Sequence, residues 1–232
     1  MYSINYLKKI NAFRTSSKLL GIDVNDILEN YKNLNFSQTK ISKYETFKQI
    51  LEKKLSTDTY NFLNEKGNLF YYKDSRSGYE YLTDLVLGWL LEDAVLIKFQ
   101  QLNISSSLNG TDQSREFLSD NKISAKPDIR ITGNIDRTLE IMADWKNTWK
   151  KYNHADLRDD KFMKLLHKDS LILGIAPLDG LGFIINLPDD KNIFRRNYIR
   201  AYQKYGYTVD NIKDFLFPLE EIFNKLLNII KH

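Results

Sequence analysis

Two segments decide the fold: Lys126-Pro127-Asp128-Ile129-Arg130 and, after a short turn, Leu139-Glu140-Ile141-Met142-Ala143-Asp144-Trp145-Lys146. Here the sequence switches to a period of two, and Gly133-Asn134-Ile135-Asp136 supplies a hairpin-type turn. Asp128 to Thr132 and Thr138 to Lys146 therefore read as paired strands. On the second strand Glu140, Met142, Asp144 and Lys146 share one face, and Leu139, Ile141, Ala143 and Trp145 share the other. Asp144 and Lys146 then project side by side, and a tight hairpin is expected to bring Asp128 close to them.

Working outward, the chain before the hairpin reads as helices. Ser3 to Arg14 is a short amphipathic stretch, and Asp23 is placed to cap a helix running to about Asn33. Ser42 to Lys54 carries Tyr44, Phe47, Ile50, Leu51 and Leu55 at helical spacing. Turns are expected around Lys66-Gly67-Asn68 and Lys73-Asp74-Ser75. A long helix follows from Ser77 or Gly78 to about Leu102, apolar nearly all round and so expected to be buried. Asn103 to Ala125 is polar and loop-like, with room for a short strand near Ile104 or Phe117.

After the hairpin, Asp156 to His167 reads as a helix. Ser170 to Ala176 and Gly182 to Leu187 read as β-branched strands broken by Pro177-Leu178-Asp179-Gly180. Asn192 to Lys204 reads as a helix, and Asn211 to Lys231 as another that Pro218 bends or restarts. The order predicts an α/β or α+β fold with a small mixed sheet of four to five strands flanked by helices.

Composition narrows the chemistry. The 232 residues suffice for one full core, with or without a helical annex. The absence of cysteine excludes disulfides, zinc–thiolate and iron–sulfur sites, and cysteine nucleophiles, and it suits a reducing, cytoplasmic setting. Thirteen Phe, fourteen Tyr and three Trp favour a packed fold over disorder. Tyr2-Ser3-Ile4-Asn5 lacks the basic start and apolar run of a signal peptide. The longest apolar stretch is interrupted by Asp84, Gly88, Glu92 and Asp93, so no membrane span is expected. The net charge of +4 permits a nucleic-acid partner without demanding one.

Two carboxylates and an amine converging at a sheet edge form a recognisable chemical set. Asp128 and Asp144 would bind a hard cation such as Mg²⁺ through oxygen, with the backbone carbonyl of Trp145 completing the shell. A bound cation lowers the pKa of a water and neutralises charge developing on phosphorus. Lys146 would stabilise that charge or orient the attacking water. Alone, Pro-Asp often marks a turn and Asp-x-Lys is a common surface pattern. Here both fall on strands, in order, across a short turn.

Pro127-Asp128 followed by Asp144-Trp145-Lys146 resembles the signature of the PD-(D/E)XK nuclease superfamily, with Asp in the second acidic position where Glu is more frequent. The resemblance spans roughly residues 78 to 187. It implies a core of a helix, a mixed sheet of about four strands and a crossover helix. Residues 1–76 would then be a helical N-terminal region, and 77–232 the nuclease core with C-terminal helices, in one compact unit. It also implies an acid on the first core helix, where Glu92 matches and Asp93 competes. Glu92 would lie on a stripe with Leu85, Trp89 and Leu96, where a carboxylate needs pairing or a metal.

By that resemblance the chain is most like a type II restriction endonuclease, cutting double-stranded DNA with Mg²⁺ and acting as a homodimer on two-fold symmetric sites. The helical segments before Gly67 or after Phe215 are both candidates for the dimer contact. Repair, recombination or transposition nucleases of the same fold, and a non-catalytic DNA-binding protein on that scaffold, are the alternatives. No phosphate-binding loop is visible, so no nucleotide cofactor is expected.

Two segments suit a polyanion. Lys146 to Lys168 includes Lys150 and Lys151 with Trp149, Tyr152 and His154 interleaved, although Asp156, Asp159 and Asp160 dilute it. Asn192 to Lys204 holds Arg195, Arg196 and Arg200 with no acid, and on a helix Arg196 and Arg200 would share a face. A solvated helix face explains that pattern equally well. His154 is expected to be a surface residue rather than a general base.

Overall fold

The computed structural model describes residues 3–32, 42–70, 76–110, 115, 126–133, 136–200 and 203–231. The chain divides into two units, residues 1–98 with 112–123, and residues 99–111 with 124–232.

The first unit is helical. It contains α1 (Ile4–Leu19), α2 (Val24–Glu29), α3 (Lys43–Leu51), α4 (Thr57–Phe70) and most of α5 (Gly78–Gln101). The division therefore falls inside α5, beyond residue 76. Two starts are capped as the sequence implies: the Asp23 carboxylate accepts from the Asn25 amide and Ser42 Oγ from the Glu45 amide. Leu82, Val86, Leu87, Trp89, Leu90, Leu91, Ala94 and Val95 of α5 are buried, as its all-round apolar composition predicts.

Lys66-Gly67-Asn68 is not a turn but lies within α4. A Cβ built on Gly67 would sit 2.0 Å from the Gly78 carbonyl oxygen, and one on Gly78 would sit 2.1 Å from that of Asn64. The two glycines thus let α4 and the start of α5 touch backbone to backbone, and that contact outweighs the weak helix propensity of glycine. The expected turn at Lys73-Asp74-Ser75, and the alternative strand near Phe117, lie outside the described residues.

The second unit contains β1 (Ser106–Leu108), β2 (Ile129–Ile131), β3 (Arg137–Ala143), α6 (Thr148–Tyr152), β4 (His154–Arg158), α7 (Asp159–His167), β5 (Leu171–Ala176) and β6 (Leu181–Asn186). These are followed by α8 (Leu187–Asp190), β7 (Phe194–Ile199), β8 (Lys204–Asp210), β9 (Phe217–Pro218) and α9 (Ile222–Lys231). The fold is mixed α and β. One sheet has six strands in the order β1-β2-β3-β5-β6-β9, larger than the four to five expected. Its neighbours are antiparallel except β3 and β5, which run parallel and are joined through a connection that includes α7. A second, antiparallel sheet has the order β4-β8-β7.

That second sheet overturns two helix expectations. His154 to Arg158 alternates buried and less buried residues and pairs with β8, so the helix expected from Asp156 begins only at Asp159. Asn192 to Lys204 is mostly strand β7, not a helix. Its burial runs buried, four exposed, buried, so it lacks the period-two signature that would have announced a strand. The C-terminal segment is likewise broken into short 3₁₀ turns, β9 and α9.

On the large sheet, Met142, Gly174 and Phe183 form one row across β3, β5 and β6, and Glu140, Ile172 and Ile185 the next. This face is packed by Trp149, Leu157, Phe162 and Leu165. On β6, a Cβ at Gly182 would meet Ile222 of α9. No described helix is long and apolar enough to cross a membrane. A Cβ on Gly174 would lie 2.1 Å from the Phe183 ring, so Gly174→Ala must displace a ring that packs on Trp149. The expected cost is about 1–3 kcal/mol in urea unfolding, and an unchanged midpoint would disprove the packing assignment.

Candidate functional site

The register of β2 on β3 determines which charges meet. Ile129 stands opposite Leu139, so Asp128, the residue before β2, comes level with Glu140 on β3. The Asp128 backbone is pinned on its other side, where its carbonyl accepts from the Asn109 amide at 2.8 Å. Its Oδ2 accepts from the Ile141 amide at 2.8 Å, which fixes the carboxylate against β3.

Glu140 is 8% exposed and shares its row with Ile172 and Ile185 of the apolar layer. Lys161 of α7 compensates its charge, with Nζ 2.6 Å from Oε2. The same ammonium donates to the Lys126 carbonyl at 2.9 Å. Burial disfavours the Lys161 charge, but Glu140 and Asp128 outweigh it and hold the ammonium above the ordinary lysine pKa. At neutral pH Lys161 is therefore a cation paired with the Glu140 carboxylate, suited to electrostatic work rather than proton abstraction.

The same face continues into a groove. Arg130 and Thr138 form the next cross-strand pair, and with Lys126, Arg137, Lys168 and Asp136 they line a depression of about 430 Å³. Four of these side chains are cationic and one is acidic. Asp136 is ion-paired to Arg130 at 2.5 Å. A cationic groove leading to two carboxylates and a lysine suits a phosphodiester backbone.

The residues expected at the site divide into two sets. Asp128 is in this cluster. Asp144 follows β3 directly, three residues past Ile141, whose amide holds the Asp128 carboxylate. Asp144 is 4% exposed and organises the start of α6. Its Oδ1 accepts from the Lys146 amide at 3.0 Å and the Thr148 hydroxyl at 2.9 Å, and its Oδ2 from the Trp149 amide at 2.8 Å. Lys146 is exposed on the turn that Asp144 holds, and the carbonyl of Trp145 belongs to the same turn.

Glu92 and its competitor Asp93 lie in the first unit and share one guanidinium. Arg115 donates to Glu92 at 2.6 Å and to Asp93 at 2.7 Å. Burial disfavours the Arg115 charge, but Asp93 and Glu92 offset it and hold the group above the ordinary arginine value. The carboxylate that required pairing or a metal is thus paired.

The expected DNA contacts are dispersed. Lys150 pairs with Asp179 at 3.2 Å, and Lys151 lies over the Tyr152 ring. Arg195 and Arg196 are successive strand residues on opposite faces, ion-paired to Asp210 and Asp159 respectively. Arg196 and Arg200 share no helical face, because that segment is β7 and Arg200 follows its end. His154 stands 3.5 Å from Asp156.

Two residues of the cluster, Glu140 and Lys161, were not among the expected set. Counting outward from the turn would have given Glu140. Lys161 carries no spacing signal, because only the connection from β3 to β5 brings it there.

Among the described residues, no group of three or more His, Asp or Glu side chains is arranged as a metal cage. Mg²⁺ needs fewer protein ligands, commonly one or two carboxylates with water and substrate oxygens. Asp128 and Glu140 are the carboxylates at this end of β2 and β3, one oxygen of each engaged by the Ile141 amide and the Lys161 ammonium. Comparison with family models, with curated proteins and with solved structures gives no significant match.

The hydrogen bonds of Asp144 predict a stability effect. Asp144→Ala deprives two backbone amides and a hydroxyl of their acceptor and is expected to cost about 2–3 kcal/mol in urea unfolding. Asp144→Asn keeps one acceptor oxygen and should recover part of that loss. Equal stability of Asp144→Ala and the parent protein would remove the capping role.

Proposed function

We propose that this chain is a Mg²⁺-dependent endonuclease of double-stranded DNA, of the PD-(D/E)XK type and most like a type II restriction enzyme. The observation that carries the reading is the meeting of Asp128, held on the Ile141 amide of β3, with Glu140 of that strand and its ion-paired Lys161, beside a groove rich in Arg and Lys. The element order adds support: helix α5, the meander β1-β2-β3, and a helical connection to a strand parallel to β3.

Asp128 and Glu140 would hold Mg²⁺, which supplies charge neutralisation at phosphorus and a water of lowered pKa. The remaining roles fall to the chain itself. The Ile141 amide orients the Asp128 carboxylate, and Glu140 orients Lys161. The ammonium of Lys161, held protonated, faces the charge that builds on the phosphoryl oxygens as water adds and one P–O bond breaks. Lys126, Arg130, Arg137 and Lys168 would bind flanking phosphates and fix the scissile bond in place. Asp144 holds the turn that carries Lys146, directly after the strand that carries Glu140. A purely structural ion pair between Glu140 and Lys161 is the competing reading, and it would leave the chain a DNA-binding protein.

The test is incubation of purified protein with unmethylated phage DNA in Mg²⁺ or EDTA. Discrete Mg²⁺-dependent fragments are expected. Asp128→Asn, Glu140→Gln and Lys161→Met should each lower cleavage by ~10²-fold or more. The double variant Glu140→Gln/Lys161→Met removes both buried charges, so it should be near parent stability yet inactive. Cleavage that survives Glu140→Gln would remove Glu140 from the site, and intact DNA in every lane would favour the binding reading.

A further inference from the structure

The outer half of the β7–β8 hairpin has no role in the site described above. β4 pairs with β8 only as far as Arg158 opposite Gly206. Beyond that point the pairs Tyr198–Tyr205 and Ile199–Lys204 belong to a two-stranded ribbon alone. Arg195, Arg196, Asn197 and Tyr198 are all exposed, so side chains on both faces of β7 meet solvent. An ordinary sheet strand of a folded domain buries one of its faces. Two-stranded ribbons are marginal in water, and this one also exposes two tyrosines, Tyr198 at 57% and Tyr205 at 59%.

The charge of the ribbon is one-sided. From Lys191 to Val209 the sequence holds Lys191, Arg195, Arg196, Arg200 and Lys204 and no Asp or Glu. At the base Arg195 and Arg196 are ion-paired to Asp210 and Asp159. Among the described residues, ion pairs of Arg200 and Lys204 at the outer end are absent. The Tyr198 and Tyr205 rings meet edge to face, with centroids 5.7 Å apart, and the Arg196 guanidinium lies over Tyr205 at 5.2 Å. The aromatic surface is thus pre-arranged before any ligand arrives. Gly206 leaves space for Ile199 to fold across the ribbon, since a Cβ there would lie 2.4 Å from the Ile199 side chain. That stiffens the arm without covering it.

We propose that this ribbon is a DNA-reading arm that enters the major groove of duplex DNA. It rests on the reading of DNA as the substrate. The major groove, about 12 Å wide, admits a two-stranded ribbon. Arg200 and Lys204 at the tip contact phosphates, and the Tyr198–Tyr205 pair faces base edges. Charge complementarity and width favour a duplex over a single strand.

The experiment is fluorescence anisotropy of the full chain with a labelled duplex in EDTA across a salt series, with a single strand of the same sequence in parallel. Arg200→Ala/Lys204→Ala should weaken duplex binding and reduce the slope of log K against log salt by about 1.8, two lost phosphate contacts at 0.9 each. Tyr198→Ser/Tyr205→Ser should weaken binding at every salt concentration with the slope unchanged. These exposed substitutions should leave the circular dichroism melt unaltered. Variants that bind the duplex with parent affinity and slope would overturn the ribbon assignment while leaving DNA as the substrate. Tighter binding to the single strand would overturn the groove placement. Absence of duplex binding by the parent protein would overturn both the ribbon and the DNA reading.

Discussion

The ion pair between Lys161 and Glu140 joins the helix that connects β3 to β5 to the strand on which the candidate site is built. Glu140 shares its row with Ile172 and Ile185, a position where an unpaired carboxylate would be strongly destabilising. The pair costs desolvation at both ends, and buried pairs seldom repay that cost against apolar residues of similar volume. It follows that packing alone does not require charge here. The proposed function gives these charges a use at the margin of an apolar layer, beside a groove lined by Lys126, Arg130, Arg137 and Lys168.

Helix α7 serves two neighbours through successive residues. Lys161 reaches Glu140 and the Lys126 carbonyl, while Phe162 stacks on Tyr207 of β8 with ring centroids 3.7 Å apart. The site and the base of the ribbon are therefore anchored on one short, well-packed helix. The base of the ribbon is thereby tied to the carboxylates through the contacts of a single helix.

Much of this was legible in the sequence, and the exceptions share physical causes. The hairpin was legible because apolar alternation and a Gly-Asn turn coincide at Asp128 to Lys146. The helix α5 was legible because it is apolar on every side. β7 was hidden because a ribbon exposed on both faces loses the alternation by which strands are recognised. β4 was hidden because five residues of strand run directly into the acidic first turn of α7, which looks like the start of a longer helix. The passage of α4 through Gly67 depends on a partner, Gly78, eleven residues away. At the site, Asp128 was legible at the start of the hairpin, and Asp144 falls directly after its second strand, where it holds the start of α6. Lys161 depends on tertiary connection alone.

The segment between Ile131 and Arg137 is five residues long, and that length sets what Asp128 faces. Adding or deleting one residue there would exchange Glu140 for an apolar neighbour and turn the row to the other side of the sheet. Surface turns usually drift freely in length as sequences diverge. In descendants of this chain, substitutions should accumulate in the turn far more readily than insertions or deletions. A change in its length would be tolerated only where the acidic residue on β3 moved with it.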